Sequence, residues 1–149
     1  MGRSIKVLVA LSMCVLASAP IRAAERSTVE SARACAALTQ VSLYNTRIKS
    51  VQWQVPQALA ADAHSGLTGS TALNHQIDAH CLVRGVINPR TGVDGEPYGI
   101  RFELRLPAAW NDKFLFQGGG GTNGFLAPAL GSIPSRGSTA TPALMRGYA

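Results

Sequence analysis

The segment Lys113–Gly124, KFLFQGGGGTNG, constrains the fold of this chain more than any other, because an apolar run that reads as a buried strand breaks directly into four consecutive glycines. Without Cβ atoms, successive backbone N–H groups can converge on one point and approach a developing negative charge. Phe114–Phe116 before the run is apolar, and Thr122-Asn123-Gly124 after it can hydrogen-bond the turn backbone, which sets the segment apart from a flexible linker. Two readings of the turn stand: an oxyanion-binding loop, or a tight structural turn.

The strands that lead to it are legible. Tyr98–Leu106 alternates Ile100, Phe102, Leu104 and Leu106 against Arg101, Glu103 and Arg105, the period of a half-buried strand with the charges on a solvated face. Pro107 ends that strand, and Ala108–Lys113 makes a reversal. Upstream, Cys81–Ile87 reads as a strand and Asn88–Pro97 as a turn-rich link. Val51, Trp53 and Val55 predict another strand, after Gln40, and Pro56–Ser70 reads as a loosely ordered connection. Glu25–Leu38 predicts a helix with Val29, Ala32, Ala36 and Ala37 on its apolar side and Ser27 and Glu30 as a capping box. After the glycines, Phe125–Leu130 reads as a short helix or packed loop, Ser132–Thr141 as a loop, and Pro142–Arg146 as helical with Gly147 as its cap. Tyr148-Ala149 then begins a further strand.

At the other end, Met1–Ala24 has basic residues Arg3 and Lys6, an apolar run Val7–Ala17 broken by Ser12, and small residues before a cut after Ala23 or Ala24. That is the layout of a secretory signal peptide, with residues 25–149 as the exported domain and an uncleaved anchor as the alternative. The apolar run is shorter than the roughly 20 residues a membrane span needs. Fourteen Lys and Arg against eight Asp and Glu give a formal charge of +6, which falls to +3 once Arg3, Lys6 and Arg22 leave with the signal. The remaining cations are scattered, which argues against a nucleic-acid partner.

Cys14 lies in the signal, so Cys35 and Cys81 remain as an even pair in an oxidising compartment, where a bridge is favoured over two free thiols or a catalytic cysteine. His64, His75 and His80 have no partner at metal-ligand spacing and read as surface or loop residues. No serine sits in a strand–turn–helix elbow, Asp94 and Glu96 flank a turn glycine, and Gly118–Gly121 lacks the patterns of a nucleotide-phosphate loop.

Cys81–Gly85, Thr91-Gly92-Val93-Asp94-Gly95, the strand Ile100–Leu106, Pro107-Ala108-Ala109-Trp110-Asn111 and Phe114–Gly124 resemble the N-terminal part of the tannase and feruloyl esterase family. The resemblance covers roughly Ala34–Ala149. It implies an α/β-hydrolase fold of which this chain is the N-terminal portion, with the first sheet strands and the oxyanion loop. It implies a secreted serine esterase acting on small aryl esters of gallic, ferulic or terephthalic type, with a calcium ion in a lid. By position, Gly121 is the residue whose backbone N–H supplies one oxyanion contact, Gly120 and Thr122 shape the turn, and Cys35 and Cys81 form the family's N-terminal disulfide. The family's Cys-Ser-x-Gly-Gly nucleophile segment, acid, catalytic histidine, lid and calcium ligands have no counterpart here, so the chain by itself is expected to be inactive. The rival expectation is a small exported, disulfide-bonded binding module.

Overall fold

A computed structural model describes residues 19–58, 76–118, 124, 126–131 and 141–149, with backbone alone for 19–25. Helix α1 (Ala19–Ala37) leads through a 3-10 turn (Leu38–Gln40) into strand β1 (Thr46–Gln54). Two short strands, β2 (Gln57–Ala58) and β3 (Gln76–Ile77), pair with each other, and the long strands β4 (His80–Thr91) and β5 (Pro97–Pro107) follow. The main sheet has the order β1-β4-β5, antiparallel at both junctions. The described sheet is therefore antiparallel with one long helix against it, short of the α/β architecture that the resemblance implies.

The face of that sheet toward α1 is apolar for a reason visible in the register. Cys81 faces Trp53 on one side and Leu106 on the other, and Val83 lies between Val51 and Leu104. Ile48 would fall on the opposite face from Val51, but a register shift between Ile48 and Ser50 inserts Lys49 as an extra residue and restores Ile48 to the core side. Cys35, Cys81 and Val83 form the buried centre, packed by Leu38, Ile48, Val51, Trp53, Phe102, Leu104 and Leu106. The Cys35–Cys81 disulfide, Cα–Cα 5.5 Å, fastens α1 to the central strand. Gly85 is needed on this face: a Cβ there would lie 2.5 Å from the Phe102 ring and 2.7 Å from the Arg47 carbonyl oxygen.

Several expectations need correction. The helix starts before Glu25 and runs through Ser27, which leaves no capping box at that residue. Its inward residues are Cys35 with the half-buried Ala32 and Leu38, while Val29, Ala36 and Ala37 are exposed, because the disulfide fixes the helix's rotation. β4 continues past Ile87 to Thr91, with a left-handed Asn88 (φ 51°) absorbing an irregularity, so the predicted link shrinks to a turn over residues 92–96. There Gly92 N–H donates to the Glu96 carbonyl, and the Asp94 carboxylate accepts from the Glu96 amide and the Tyr98 hydroxyl. Residues 57–58 are strand rather than loose connection, and residues 126–131 form a packed loop without helix. The expected C-terminal turn is present as a 3-10 helix (Leu144–Arg146) ending at a left-handed Gly147 (φ 82°).

Phe114–Phe116 is not a buried strand: Phe114 is 66% and Phe116 82% exposed. Burial of such a run requires neighbours on both sides, and among the described residues it has one. The Ala149 amide donates to the Lys113 carbonyl at 3.0 Å, and the Leu115 amide donates to the Ala149 carbonyl at 2.7 Å. One residue bonding to both neighbours of its partner is the hydrogen-bond pattern of a parallel pair, but neither Phe114–Phe116 nor Tyr148-Ala149 is a strand in the structure, so the expected strand at 148–149 is reduced to these two bonds.

Candidate functional site

Gly120, Gly121 and Thr122 lie outside the described residues, as do His64 and His75. The two flanks of the glycine turn are described and are tied down separately. Before it, the Gln117 side chain accepts from the Gly131 amide at 2.7 Å and donates to the Pro128 carbonyl at 3.4 Å. After it, the Gly124 carbonyl accepts from the Arg101 guanidinium at 2.9 Å, which anchors that end to β5. The base of the preceding segment is equally fixed. The Asn111 amide and side chain donate to the Gly147 and Arg146 carbonyls, and the Asn111 side-chain oxygen accepts from the Lys113 amide. Arg101, read from sequence as part of a solvated face, thus has a positioning contact beside the turn.

Next to these flanks lies a cavity of about 510 Å³ lined by Ile87 of β4, residues 100–104 of β5, residues 114–118, residues 126, 127 and 129–131 of the following loop, and Ala143, Leu144, Tyr148 and Ala149. Its walls carry Ile100, Phe114, Leu115, Phe116 and Leu126, all exposed large apolar side chains.

On the sheet face opposite α1, the structure assembles a buried polar cluster that the strand alternation placed in solvent. Glu103, Arg105 and His80 share this face because their positions on paired strands have the same parity. Arg105 is 7% and His80 1% exposed, so neither is a surface residue. Arg105 Nε donates to Glu103 Oε1 at 2.8 Å, Arg84 Nε donates to Glu103 Oε2 at 2.9 Å, and the Ala129 amide donates to Glu103 Oε1 at 3.0 Å. Arg105 also donates to His80 Nε2 at 2.9 Å, while His80 Nδ1 lies 2.8 Å from the Asp78 carbonyl oxygen. Those partners require a neutral imidazole with its proton on Nδ1. Burial holds the His80 pKa below its ordinary value, the Asp78 carbonyl bond opposes this, and the Arg105 charge adds to it. Burial would push the Glu103 carboxyl up, but the Arg105 guanidinium, the Ala129 amide and the Arg84 bond outweigh it and hold the group below the usual range.

His80 does not serve as a general base in this arrangement, since its one lone pair is engaged by Arg105. The cluster is structural: through Ala129 it locks the loop 126–131 onto β5, and Leu130 of that loop packs with Ile77 and Leu144. The signal that could have located it is the opposite-charge pair at i and i+2 on β5, which a strand places on one face. Among the described residues no group of three His, Cys, Asp or Glu side chains could hold a metal ion. No helix among them is long and apolar enough to cross a membrane.

No family profile matches the chain. Over 80 residues, 54% of this chain, it is 49% identical to the mono(2-hydroxyethyl) terephthalate hydrolase of Piscinibacter sakaiensis, of which the match covers 13%. Over 123 residues, 83% of this chain, it is 32% identical to an uncharacterized esterase of Agrobacterium fabrum strain C58, of which the match covers 20%. The chain thus spans a fifth or less of these curated relatives, and its likeness is to ester hydrolases.

Proposed function

We propose that this chain is the N-terminal portion of an exported serine carboxylic ester hydrolase acting on aryl esters, and that its glycine turn supplies half of the oxyanion hole. The observation that carries the reading is the similarity to two ester hydrolases, one of which hydrolyses a terephthalate monoester by name. The anchored flanks support it: Gln117 and Arg101 hold the two ends of the turn to different parts of the fold, as a preorganised anion site requires. In the complete enzyme a serine from a later segment attacks the ester carbonyl with a histidine as base. The carbonyl oxygen becomes an oxyanion, and the Gly121 N–H donates to it together with the N–H following the serine. The nucleophile, the base and any lid with its calcium belong to that later part, and the tannase and feruloyl esterase family is the finer assignment. Export rests on the signal layout of Met1–Ala24.

The test uses the longer protein read from the codons that follow Ala149. Gly121→Pro removes the N–H and is expected to lower kcat on a terephthalate or ferulate monoester by about 100- to 1000-fold, whereas Gly121→Ala, which keeps the N–H, should cost far less. Equal losses in a folded pair would refute the oxyanion role, and a folded longer protein without esterase activity would refute the function.

A further inference from the structure

Four consecutive glycines give the turn its reach but no stiffness, because glycine populates more backbone states than any other residue and offers no side chain to pack. An anion site needs the reverse: its donors must stand within about 0.5 Å of the productive geometry before charge develops. The constraint on this turn therefore comes from outside it. Packing does not supply it at either end, since a Cβ built on Gly118 or on Gly124 would meet nothing within 4 Å. What holds the ends is hydrogen bonding through two side chains, Gln117 directly before the first glycine and Arg101 at Gly124.

The parts those side chains tie together are themselves fixed. Gln117 grips the Gly131 amide and the Pro128 carbonyl of the loop 126–131. Within that loop the Leu130 amide donates to the Pro128 carbonyl at 2.9 Å, and the Leu130 and Gly131 carbonyls accept from the Leu144 and Ala143 amides at 3.1 and 3.2 Å. Gly131 has φ 64°, and a Cβ there would lie 2.4 Å from the Ala143 Cβ, so the loop and the C-terminal turn meet as closely as a glycine allows. The loop is fastened to β5 by the Ala129 amide, which donates to Glu103 at 3.0 Å. Arg101 stands two residues before Glu103 on the same strand, hence on the same face and about 7 Å away. One face of one strand thus serves as the reference for both ends of the turn, for Gly124 directly and for Gln117 through the loop. The ion pairs among the described residues use Arg84 and Arg105, which leaves the Arg101 guanidinium to the Gly124 carbonyl.

The geometry points to Arg101 and Gln117 as positioning residues for the ester hydrolysis proposed above: together they set the span and tilt of the glycine turn, acting through its backbone rather than on the ester. The inference rests on the oxyanion reading of that turn. An oxyanion donor acts on charge that develops only in the transition state, so slack in the turn lowers kcat and leaves KM nearly unchanged.

The experiment measures kcat and KM per folded molecule, together with Tm, on a terephthalate monoester, in the longer protein carrying Arg101→Met, Arg101→Lys, Gln117→Met or Gly121→Pro. The two methionine changes keep side-chain bulk and lose the hydrogen bonds. Each is expected to lower kcat by about 10- to 100-fold with KM within about 3-fold, the scale of a displacement of up to about 1 Å. Arg101→Lys keeps a donor for the Gly124 carbonyl and should stay within about 5-fold of the parent. A merely structural role would lower Tm and leave kcat per folded molecule unchanged. That result at either position overturns the proposal, as does a loss in Arg101→Lys equal to that in Arg101→Met. Arg101 is exposed, so its two changes open no cavity in the core and decide the matter even where Gln117→Met does not fold. If Gly121→Pro lowers kcat while the Arg101 and Gln117 changes do not, the positioning role falls and the oxyanion reading stands. If Gly121→Pro also leaves kcat intact, or the longer protein hydrolyses no ester, that reading falls and takes the positioning role with it.

Discussion

Replacing Glu103 by alanine removes the carboxylate that pairs with the buried Arg105, and the consequence can be worked from its contacts. Arg105, 7% exposed, keeps its bond to His80 but loses its counter-charge. Removing one partner of a buried pair costs roughly 3–5 kcal/mol. The Ala129 amide loses its acceptor, worth about 1 kcal/mol, whereas the Arg84 side chain is 49% exposed and its half of the pair contributes about 0.5 kcal/mol. A total of about 4.5–6.5 kcal/mol, at a urea slope of about 2 kcal/mol/M, lowers the unfolding midpoint by about 2–3 M with the slope unchanged. Arg84→Ala should cost under about 1 kcal/mol. A double replacement by apolar residues of similar volume, Glu103→Leu with Arg105→Met, should recover most of the loss, because no charge is then left unpaired. If Glu103→Ala and Arg84→Ala prove equally mild, or if the apolar pair is as damaging as the single change, the cluster does not hold the loop 126–131 as argued.

Stability should also fall with acid in two stages. The His80 pKa is depressed in the folded state, so the unfolded chain binds the proton first and stability declines as pH drops below about 6.5. Glu103 is depressed as well, and its contribution, present above about 4.3, is lost as pH falls further through its folded value. His80→Gln should flatten the first stage, between about pH 7 and 5, in urea melts taken across pH; an unchanged profile would contradict the neutral, Arg105-bonded imidazole. Reducing the Cys35–Cys81 bridge, with a separation of 46 residues, should destabilise by about 4 kcal/mol, read as a drop in Tm. Gly85→Ala should cost about 1–3 kcal/mol through the Phe102 ring, and Phe102→Leu should relieve part of it; additive costs would mean the ring is not the obstacle.

The strands and the disulfide were legible because local pattern determines them. Strict alternation in 98–106 and the Val51/Trp53 pair report a half-buried sheet without knowledge of its partners. Boundaries depending on context were not: β4 passes through Asn88 because β5 pairs beyond it, and α1 turns Cys35 inward because Cys81 lies opposite. Alternation told which residues share a face but not what covers that face. Arg105, Glu103 and His80 were therefore placed in solvent, whereas the loop 126–131 closes over them and their charges neutralise one another. Phe114–Phe116 failed in the opposite sense, its apolar character being real while only one neighbouring segment is described.

The measurement that bears most directly on the account is labelling by a fluorophosphonate probe, read by intact mass and peptide mapping, on the longer protein and on the 149-residue chain. The account predicts one adduct on a serine beyond Ala149 in the longer protein, abolished together with aryl-ester hydrolysis when that serine is replaced, and no adduct on the 149-residue chain. A longer protein that folds yet takes up no probe and hydrolyses no aryl ester, or an adduct on a serine within the 149 residues, would contradict it.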